Sequence, residues 1–203
     1  ICFGILVLVS VAIFSKHSND NISLSQNKQL QVEDTLLVTA KTVDYLEKSD
    51  KHNILSVKTI GESSQNRPIY CLKFSRGKSH KSILFMCRQH GFEPGSCLAS
   101  LDLIKETLDG EGFYDYLNQL DVYMIPESNP DGAVMFIRTD SQGNDLNRQW
   151  NYPTTPEVKA LKAAIKTIHP SLVLDMHDLG KGVSFAEVYQ GVKSSRLAGI
   201  AAA

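Results

Sequence analysis

The pattern of apolar and polar positions predicts strands that alternate with helices. Residues 54–61 and 67–74 alternate apolar with polar or aromatic side chains, and the polar run ESSQN between them predicts a β-hairpin. Residues 81–87 are more continuously apolar, which is typical of a central strand covered on both faces. Further strands are predicted at residues 120–126, 171–177 and 183–190.

Three segments carry apolar residues at helical spacing, at residues 33–49, 94–110 and 155–167. Pro94 suits the first turn of the second helix, and Gly110 ends it. The sequence NPDG at residues 129–132 predicts a turn. Together these elements predict an α/β fold with a mixed central β-sheet flanked by helices.

The N-terminal segment differs from the rest of the chain. Residues 1–14 carry no charge, and they are too few for a membrane span of about 20 residues but suit the core of a signal peptide or an N-terminal anchor. Residues 15–32 are polar and predict a linker to a domain at residues 33–203. We therefore expect a secreted, periplasmic or N-terminally membrane-anchored protein. A buried N-terminal strand or helix is the alternative.

Composition excludes one class of partner. With 42% hydrophobic residues in 203, the chain can build a globular core, and its net charge of −1 without a basic stripe argues against nucleic-acid binding. After the leader, three cysteines remain, an odd number without the spacing of a disulfide scaffold. Cys71 and Cys87 lie in adjacent predicted strands and could pair, although buried thiols are the favoured interpretation.

Candidate chemistry lies where predicted strands end. His90 and Glu93 follow one buried strand, and His177 ends another. Ligands of open α/β sheets gather at the carboxyl ends of strands. Two histidines and one glutamate are the donor set of a catalytic zinc site that leaves a position open for water. The short H-x-x-E pattern alone is weak, because it occurs by chance in many chains.

Four motifs in matching order resemble the zinc metallocarboxypeptidases, the carboxypeptidase A-like hydrolases. They are IGESSQNRPIYCLKF, QHGFEPGS, NPDG followed by GNDLNR, and LVLDMH. The resemblance extends from about Val57 to His177 and implies that His90, Glu93 and His177 bind one zinc ion.

The resemblance also implies a substrate-binding segment. Asn147 and Arg148 match the pair that binds the terminal carboxylate of the substrate, which a guanidinium can hold through two parallel hydrogen bonds. Arg138 matches the arginine that stabilises the oxyanion of the scissile carbonyl, and Asp145 the carboxylate that orients the first zinc histidine. Plainer interpretations exist: Arg148 could form a surface ion pair, Asp145 could be a turn residue, and Cys87 could itself bind zinc.

The chain departs from the family pattern in two places. No residue matches the glutamate that serves as general base, and Glu187 follows His177 too soon to be that base. The base, the closing tyrosine and the floor of the specificity pocket are expected beyond residue 203, so the catalytic domain is expected to be C-terminally incomplete. Asp178 and Leu179 stand where the family tends to have Ser and Tyr. An acid there could bond a ligand histidine or repel an anionic substrate.

The expected function is zinc-dependent hydrolysis of a C-terminal peptide or amide bond by a zinc-activated water. The expected substrate is a peptide or acyl-amino acid with a free carboxylate. Two alternatives stay open: a zinc amidase or deacylase acting on cell-wall peptides or acylated amino acids, and a non-catalytic binding protein on the same scaffold.

Overall fold

The computed structural model describes residues 37–77, 81–178 and the backbone of residues 184–189. The predicted leader and linker lie outside these ranges, and their assignment stays a prediction. The described strands are β1 (Leu55–Glu62), β2 (Pro68–Phe74), β3 (Ser82–Cys87), β4 (Asp121–Ile125), β5 (Leu172–Asp178) and β6 (Ser184–Tyr189). The described helices are α1 (Ala40–Ser49), α2 (Pro94–Leu108), α3 (Pro130–Met135) and α4 (Pro156–Ile168), with 3-10 helices at Tyr114–Asn118 and Leu146–Arg148.

The strands form one mixed sheet in the order β1-β2-β4-β3-β5-β6. The two inner pairs, β4 with β3 and β3 with β5, are parallel, and the remaining pairs are antiparallel. The predicted mixed sheet is therefore confirmed. Strand β3 lies at its centre, and five of its six residues are buried, as its continuous apolar run predicts.

Helices cover both faces of the sheet. Alternate side chains of a strand point to opposite faces. Leu84 and Met86 of β3 pack in an apolar cluster with Val158 and Leu161 of α4. On the other face, the Phe85 ring lies 5.6 Å from the Phe113 ring, and α2 contacts β3 and β5.

Capping residues set where the helices begin. Helix α1 begins at Ala40 rather than at residue 33, because Thr39 is extended and its side chain accepts a hydrogen bond from the Thr42 N–H. Helix α4 matches its prediction closely, with Thr155 as N-cap and a proline in the first turn. Within residues 37–77 and 81–178, no helix has the length and apolar character that crossing a membrane requires.

Two local predictions were wrong. The NPDG sequence does not form a simple turn: Asn129 caps a short helix, α3, by accepting a hydrogen bond from the Gly132 N–H. Cys71 and Cys87 are not on adjacent strands, because β4 lies between β2 and β3. Both are buried free thiols, as the favoured interpretation held.

Candidate metal centre

Three side chains from distant parts of the chain meet at the carboxyl edge of the central strands. His90 follows β3, Glu93 is the N-cap residue of α2, and His177 is the next-to-last residue of β5. Because β3 and β5 are parallel neighbours, their carboxyl ends lie side by side. One donor atom of each residue lies within 4.8 Å of the other two. The structure thus brings together the three predicted ligands.

Both imidazole rings face the same carboxylate. His90 Nδ1 lies 2.8 Å from Glu93 Oε1, and His177 Nδ1 lies 3.0 Å from Glu93 Oε2. The two ring centroids are 4.8 Å apart. All three side chains are buried, with exposed fractions of 5% or less for the residues. Two nitrogens and a carboxylate therefore converge on one small volume.

The opposite ring nitrogens also face carboxylates. His90 Nε2 lies 3.3 Å from Asp145 Oδ1, and His177 Nε2 lies 3.1 Å from Asp175 Oδ2. A carboxylate favours the tautomer that carries its proton on the facing nitrogen. In a neutral ring, that arrangement leaves the lone pair of Nδ1 directed toward the centre of the cluster. Carboxylates hold metal-binding histidines in this way.

Glu93 and His177 shift each other's pKa in opposite directions. Burial would raise the pKa of Glu93, but hydrogen bonds from His177 and His90 outweigh burial and lower this pKa to about 2. Burial would lower the pKa of His177, but bonds to Asp175 and Glu93 raise it to about 10. The Glu93 carboxylate therefore stays ionised inside the protein, because its hydrogen bonds with the two histidines outweigh the cost of its burial.

These residues fit a zinc ion. Zinc sites in catalytic proteins use nitrogen and oxygen donors of this kind, three from the protein. Both Nδ1 atoms and both Glu93 oxygens lie toward one centre, and a carboxylate faces the outer nitrogen of each ring. Among the residues that the structure describes, no other group of His, Cys, Asp and Glu converges in this way, and Cys87 is not a member of the group.

The turn that carries His90 is held in place by contacts of Arg88 and Gly91. Arg88 is fully buried and adopts a left-handed backbone with φ of 56°. Its Nε donates to the Gly91 carbonyl at 3.0 Å, and its Nη1 lies 2.8 Å from Glu127 Oε2. Gly91 must be glycine, because a Cβ there would lie 1.9 Å from the Gly132 backbone. The turn is therefore packed tightly against α3.

The predicted substrate-binding residues lie on one segment beside the cluster. Arg138 Nε donates to Asp145 Oδ2 at 2.9 Å, and the other oxygen of Asp145 faces His90. Asp145 also caps the 3-10 helix by accepting a bond from the Asn147 N–H. The Asn147 side chain lies 3.3 Å from His177 Nε2, and the exposed Arg148 donates to the Asn147 carbonyl. The structure therefore brings all four residues to the cluster or its edge.

Several supporting residues were missed at the sequence level. Asp131 is buried, and its carboxylate accepts hydrogen bonds from Ser63, Gln65, Arg67 and Ser141. It thereby ties the hairpin turn between β1 and β2 to the segment that carries Arg138. Asp175, which faces His177, was also missed. Its position two residues before His177 on a strand was a usable signal, because residues two apart face the same side.

Comparison with known proteins agrees with this geometry. Residues 42–168 match the family described as Zinc carboxypeptidase, Peptidase M14. The chain belongs to the zinc carboxypeptidase family. The match covers the segment with His90 and Glu93 as well as the segment with Asn147 and Arg148, and it ends before His177.

The relatives of this chain are distant and longer. A zinc carboxypeptidase of Saccharothrix mutabilis subsp. capreolus is 28% identical over 126 residues, or 51% of this chain and 29% of that protein. A metallo-carboxypeptidase of Pseudomonas aeruginosa, solved with (2-guanidinoethylmercapto)succinic acid, is 31% identical with a TM-score of 0.60, over 68% of this chain and 38% of that one. A metallo-carboxypeptidase of Burkholderia cenocepacia is 25% identical with a TM-score of 0.62, over 70% of this chain and 41% of that one. The chain thus spans less than half the length of these relatives.

The position of the general base stays a prediction. Glu187 lies on β6, where its Cα is paired with that of Asp175. The expected base, the closing tyrosine and the pocket floor were predicted beyond residue 203, outside the described residues.

Proposed function

We propose that the full-length protein is a zinc-dependent hydrolase that cleaves the C-terminal peptide or amide bond of substrates with a free carboxylate. One observation carries this proposal: side chains suited to bind a metal lie next to side chains suited to bind an anion. A buried His–Glu–His cluster lies directly beside a segment with two arginines and an asparagine. The first is suited to a divalent metal, and the second to the oxygens of an anionic substrate.

His90, Glu93 and His177 would hold the zinc through the two Nδ1 atoms and the carboxylate. Bound zinc supplies Lewis-acid chemistry, which polarises a scissile carbonyl group. Asp145 and Asp175 keep a proton on Nε2 of His90 and His177, so that the lone pair of each Nδ1 remains available to bind the metal. The burial of the cluster limits competition from water for these donors.

Arg138 is suited to stabilise charge that develops on the carbonyl oxygen. Its Nε is bonded to Asp145, which also faces the ligand His90, so one carboxylate links the guanidinium to the metal site. Within the described residues, the structure records no partner for the two Nη atoms of Arg138. These donors can therefore turn to an oxyanion, and removing such a donor typically lowers kcat by about 100- to 1000-fold.

Asn147 and Arg148 are suited to bind the free carboxylate of the substrate. Arg148 is exposed. Within the described part of the chain, the structure records one hydrogen bond from its guanidinium, which Nη1 donates to the Asn147 carbonyl. A guanidinium and an amide together can donate several hydrogen bonds to one carboxylate. Support comes from the Pseudomonas aeruginosa relative, whose bound molecule is a derivative of succinic acid and so carries carboxylates.

The test compares two substrates that differ only at the C-terminus, which is a free carboxylate in one and an amide in the other. Zinc-loaded full-length protein is assayed on an N-blocked dipeptide with a free C-terminus and on its amidated counterpart. Charge-assisted hydrogen bonds contribute about 1.5–3 kcal/mol, so we expect kcat/KM to be about 10- to 150-fold higher for the free acid. Arg148→Ala should abolish most of this difference.

Three outcomes would decide against the proposal. Equal rates on both dipeptides would remove the carboxylate-binding role of Arg148. Activity on an acylated amino acid with none on peptides would indicate a deacylase instead. Zinc binding without turnover of any of these substrates would indicate a non-catalytic binding protein.

A further inference from the structure

The N-terminus of α2 is unusual because its N-cap side chain is committed elsewhere. Helices begin with N–H groups that have no partner inside the helix, and the N-cap side chain ordinarily accepts a bond from one of them. Glu93 occupies the N-cap position of α2, but its side chain forms no capping bond. Both carboxylate oxygens face histidine nitrogens instead. The helix therefore needs an acceptor from outside.

Asp178 supplies this acceptor from the end of β5. The Gly95 N–H donates to Asp178 Oδ2 at 2.7 Å, and the Ser96 N–H donates to Asp178 Oδ1 at 3.1 Å. Pro94 has no N–H, so Gly95 and Ser96 carry the first two donors of the helix. The carboxylate also lies where the partial positive charge of the helix N-terminus favours an anion.

The contact between the two segments is reciprocal. While the Asp178 side chain accepts from α2, the Asp178 N–H donates to Glu93 Oε2 at 3.2 Å. A Cβ on Gly95 would lie 2.8 Å from Asp178 Oδ2, so glycine permits this close approach. One residue thus bonds both to the backbone that carries Glu93 and to the Glu93 carboxylate itself.

We infer that Asp178 is a positioning residue of the metal centre, which fixes Glu93 relative to His177 by capping α2 from β5. Asp178 is the neighbour of His177 in sequence, whereas Glu93 begins the helix that Asp178 caps. A movement of α2 relative to the end of β5 would change the position of Glu93 relative to His177, and the two bonds from Gly95 and Ser96 oppose this movement. This role differs from both of those that the sequence left open, bonding to a ligand histidine and repulsion of an anionic substrate. The inference rests on the proposed zinc function.

The test measures zinc affinity in metal-free, full-length protein by competition with a chromophoric chelator. Asp178→Ala removes both acceptors, and we expect the Kd for zinc to rise by about 10- to 100-fold, the range for residues that orient metal ligands. Asp178→Asn keeps one acceptor oxygen without the charge, so its Kd should fall between those of the wild type and Asp178→Ala. The visible absorption spectrum of the Co²⁺-loaded protein should change in the same order, because it reports on the arrangement of the donors.

Thr155→Ala is the matched control. Thr155 caps α4 through its side chain, which accepts from the Val158 N–H, and it lies outside the metal centre. Thr155→Ala should lower the melting temperature because α4 loses its cap, as Asp178→Ala should because α2 loses its cap. Unlike Asp178→Ala, it should leave the Kd for zinc and the Co²⁺ spectrum unchanged. The control therefore separates a general loss of helix stability from the displacement of Glu93.

The outcomes distinguish the inference from the proposed function. If the wild type binds no zinc, the proposed function fails. If the wild type binds zinc and Asp178→Ala binds it within twofold, or weakens it only as much as Thr155→Ala does, the inference is overturned. Should Asp178→Ala fail to fold, Asp178→Asn decides: an unchanged Kd and Co²⁺ spectrum overturn the inference, and a weakened Kd with a changed spectrum supports it.

Discussion

The metal cluster and the segment that carries Arg138, Asn147 and Arg148 are neighbours, but they are built in different ways. The cluster residues are almost completely buried. In both ligand histidines, each ring nitrogen faces a carboxylate oxygen. In the neighbouring segment, 44% of the Arg138 side chain is exposed, and Arg148 is exposed as well. The first region is thus fixed by the fold, whereas the second retains donors that a substrate can engage.

This difference follows from what each region binds. A metal ion needs several donors within a narrow range of distances, so their positions must be set before it arrives. An arginine that binds a substrate must keep part of its surface open, and its long side chain can adjust. Asp145 belongs to both regions, because one oxygen faces His90 and the other accepts from Arg138. It is therefore the residue through which a change in one region reaches the other.

The largest expected effect comes from removing a donor of the buried region. Zinc sites bind with roughly 10–16 kcal/mol, shared among a few donors, so Glu93→Gln should weaken zinc binding by about 1000-fold or more. Glu157→Gln is the control, because Glu157 is also a buried glutamate but bonds to the Ser64 N–H away from the cluster. Metal content after dialysis measures both. An undiminished zinc content in Glu93→Gln would contradict the ligand assignment.

A smaller effect is expected from the exposed region. Arg138→Ala should lower kcat by about 100- to 1000-fold, because a donor to the developing oxyanion is lost, while zinc content stays unchanged. Arg76→Ala is the control, since Arg76 lies over the Tyr114 ring on another part of the surface. Steady-state kinetics with metal analysis of the same samples checks both values. Loss of zinc from Arg138→Ala would mean that the two regions are not separable.

The smallest of the three effects is expected from a carboxylate that supports the cluster without belonging to it. Asp175→Asn replaces the charged partner of His177 Nε2 by a neutral one, and zinc affinity should fall by about 10- to 100-fold. Asp121→Asn serves for comparison, because Asp121 bonds Lys73 and Ser75 near the start of β4. Chelator competition measures both affinities. Equal affinities in the two variants would show that Asp175 does not orient His177.

The sequence predicted the cluster because its signals are local. A buried strand that ends in H-x-x-E, and another that ends in a histidine, place three donors at one sheet edge once the strands are parallel neighbours. For the three zinc ligands, the residue type and its place at the end of an element carried the information. Asp145, Asn147 and Arg148 were assigned in a different way, through the resemblance of the NPDG and GNDLNR motifs to the zinc metallocarboxypeptidases.

Other parts of the site depend on contacts between distant segments. Asp178 bonds to the N-terminus of α2, which lies more than 80 residues away in the sequence, and Arg88 bonds to Glu127, which lies 39 residues away. No periodicity in the sequence reports such pairs. The strand order also lay beyond local signals, because β4 inserts between β2 and β3, and this separates Cys71 from Cys87. The short helix at NPDG was missed because the same residues favour turns and helix caps.

The most direct test of the metal centre is X-ray absorption spectroscopy of the zinc-loaded full-length protein. We predict one zinc ion per chain, with nitrogen and oxygen scatterers at about 2.0–2.2 Å and an imidazole contribution from two histidines, which should fall to one in His177→Ala. A sulfur scatterer at about 2.3 Å, or a spectrum that His177→Ala leaves unchanged, would contradict the proposed site.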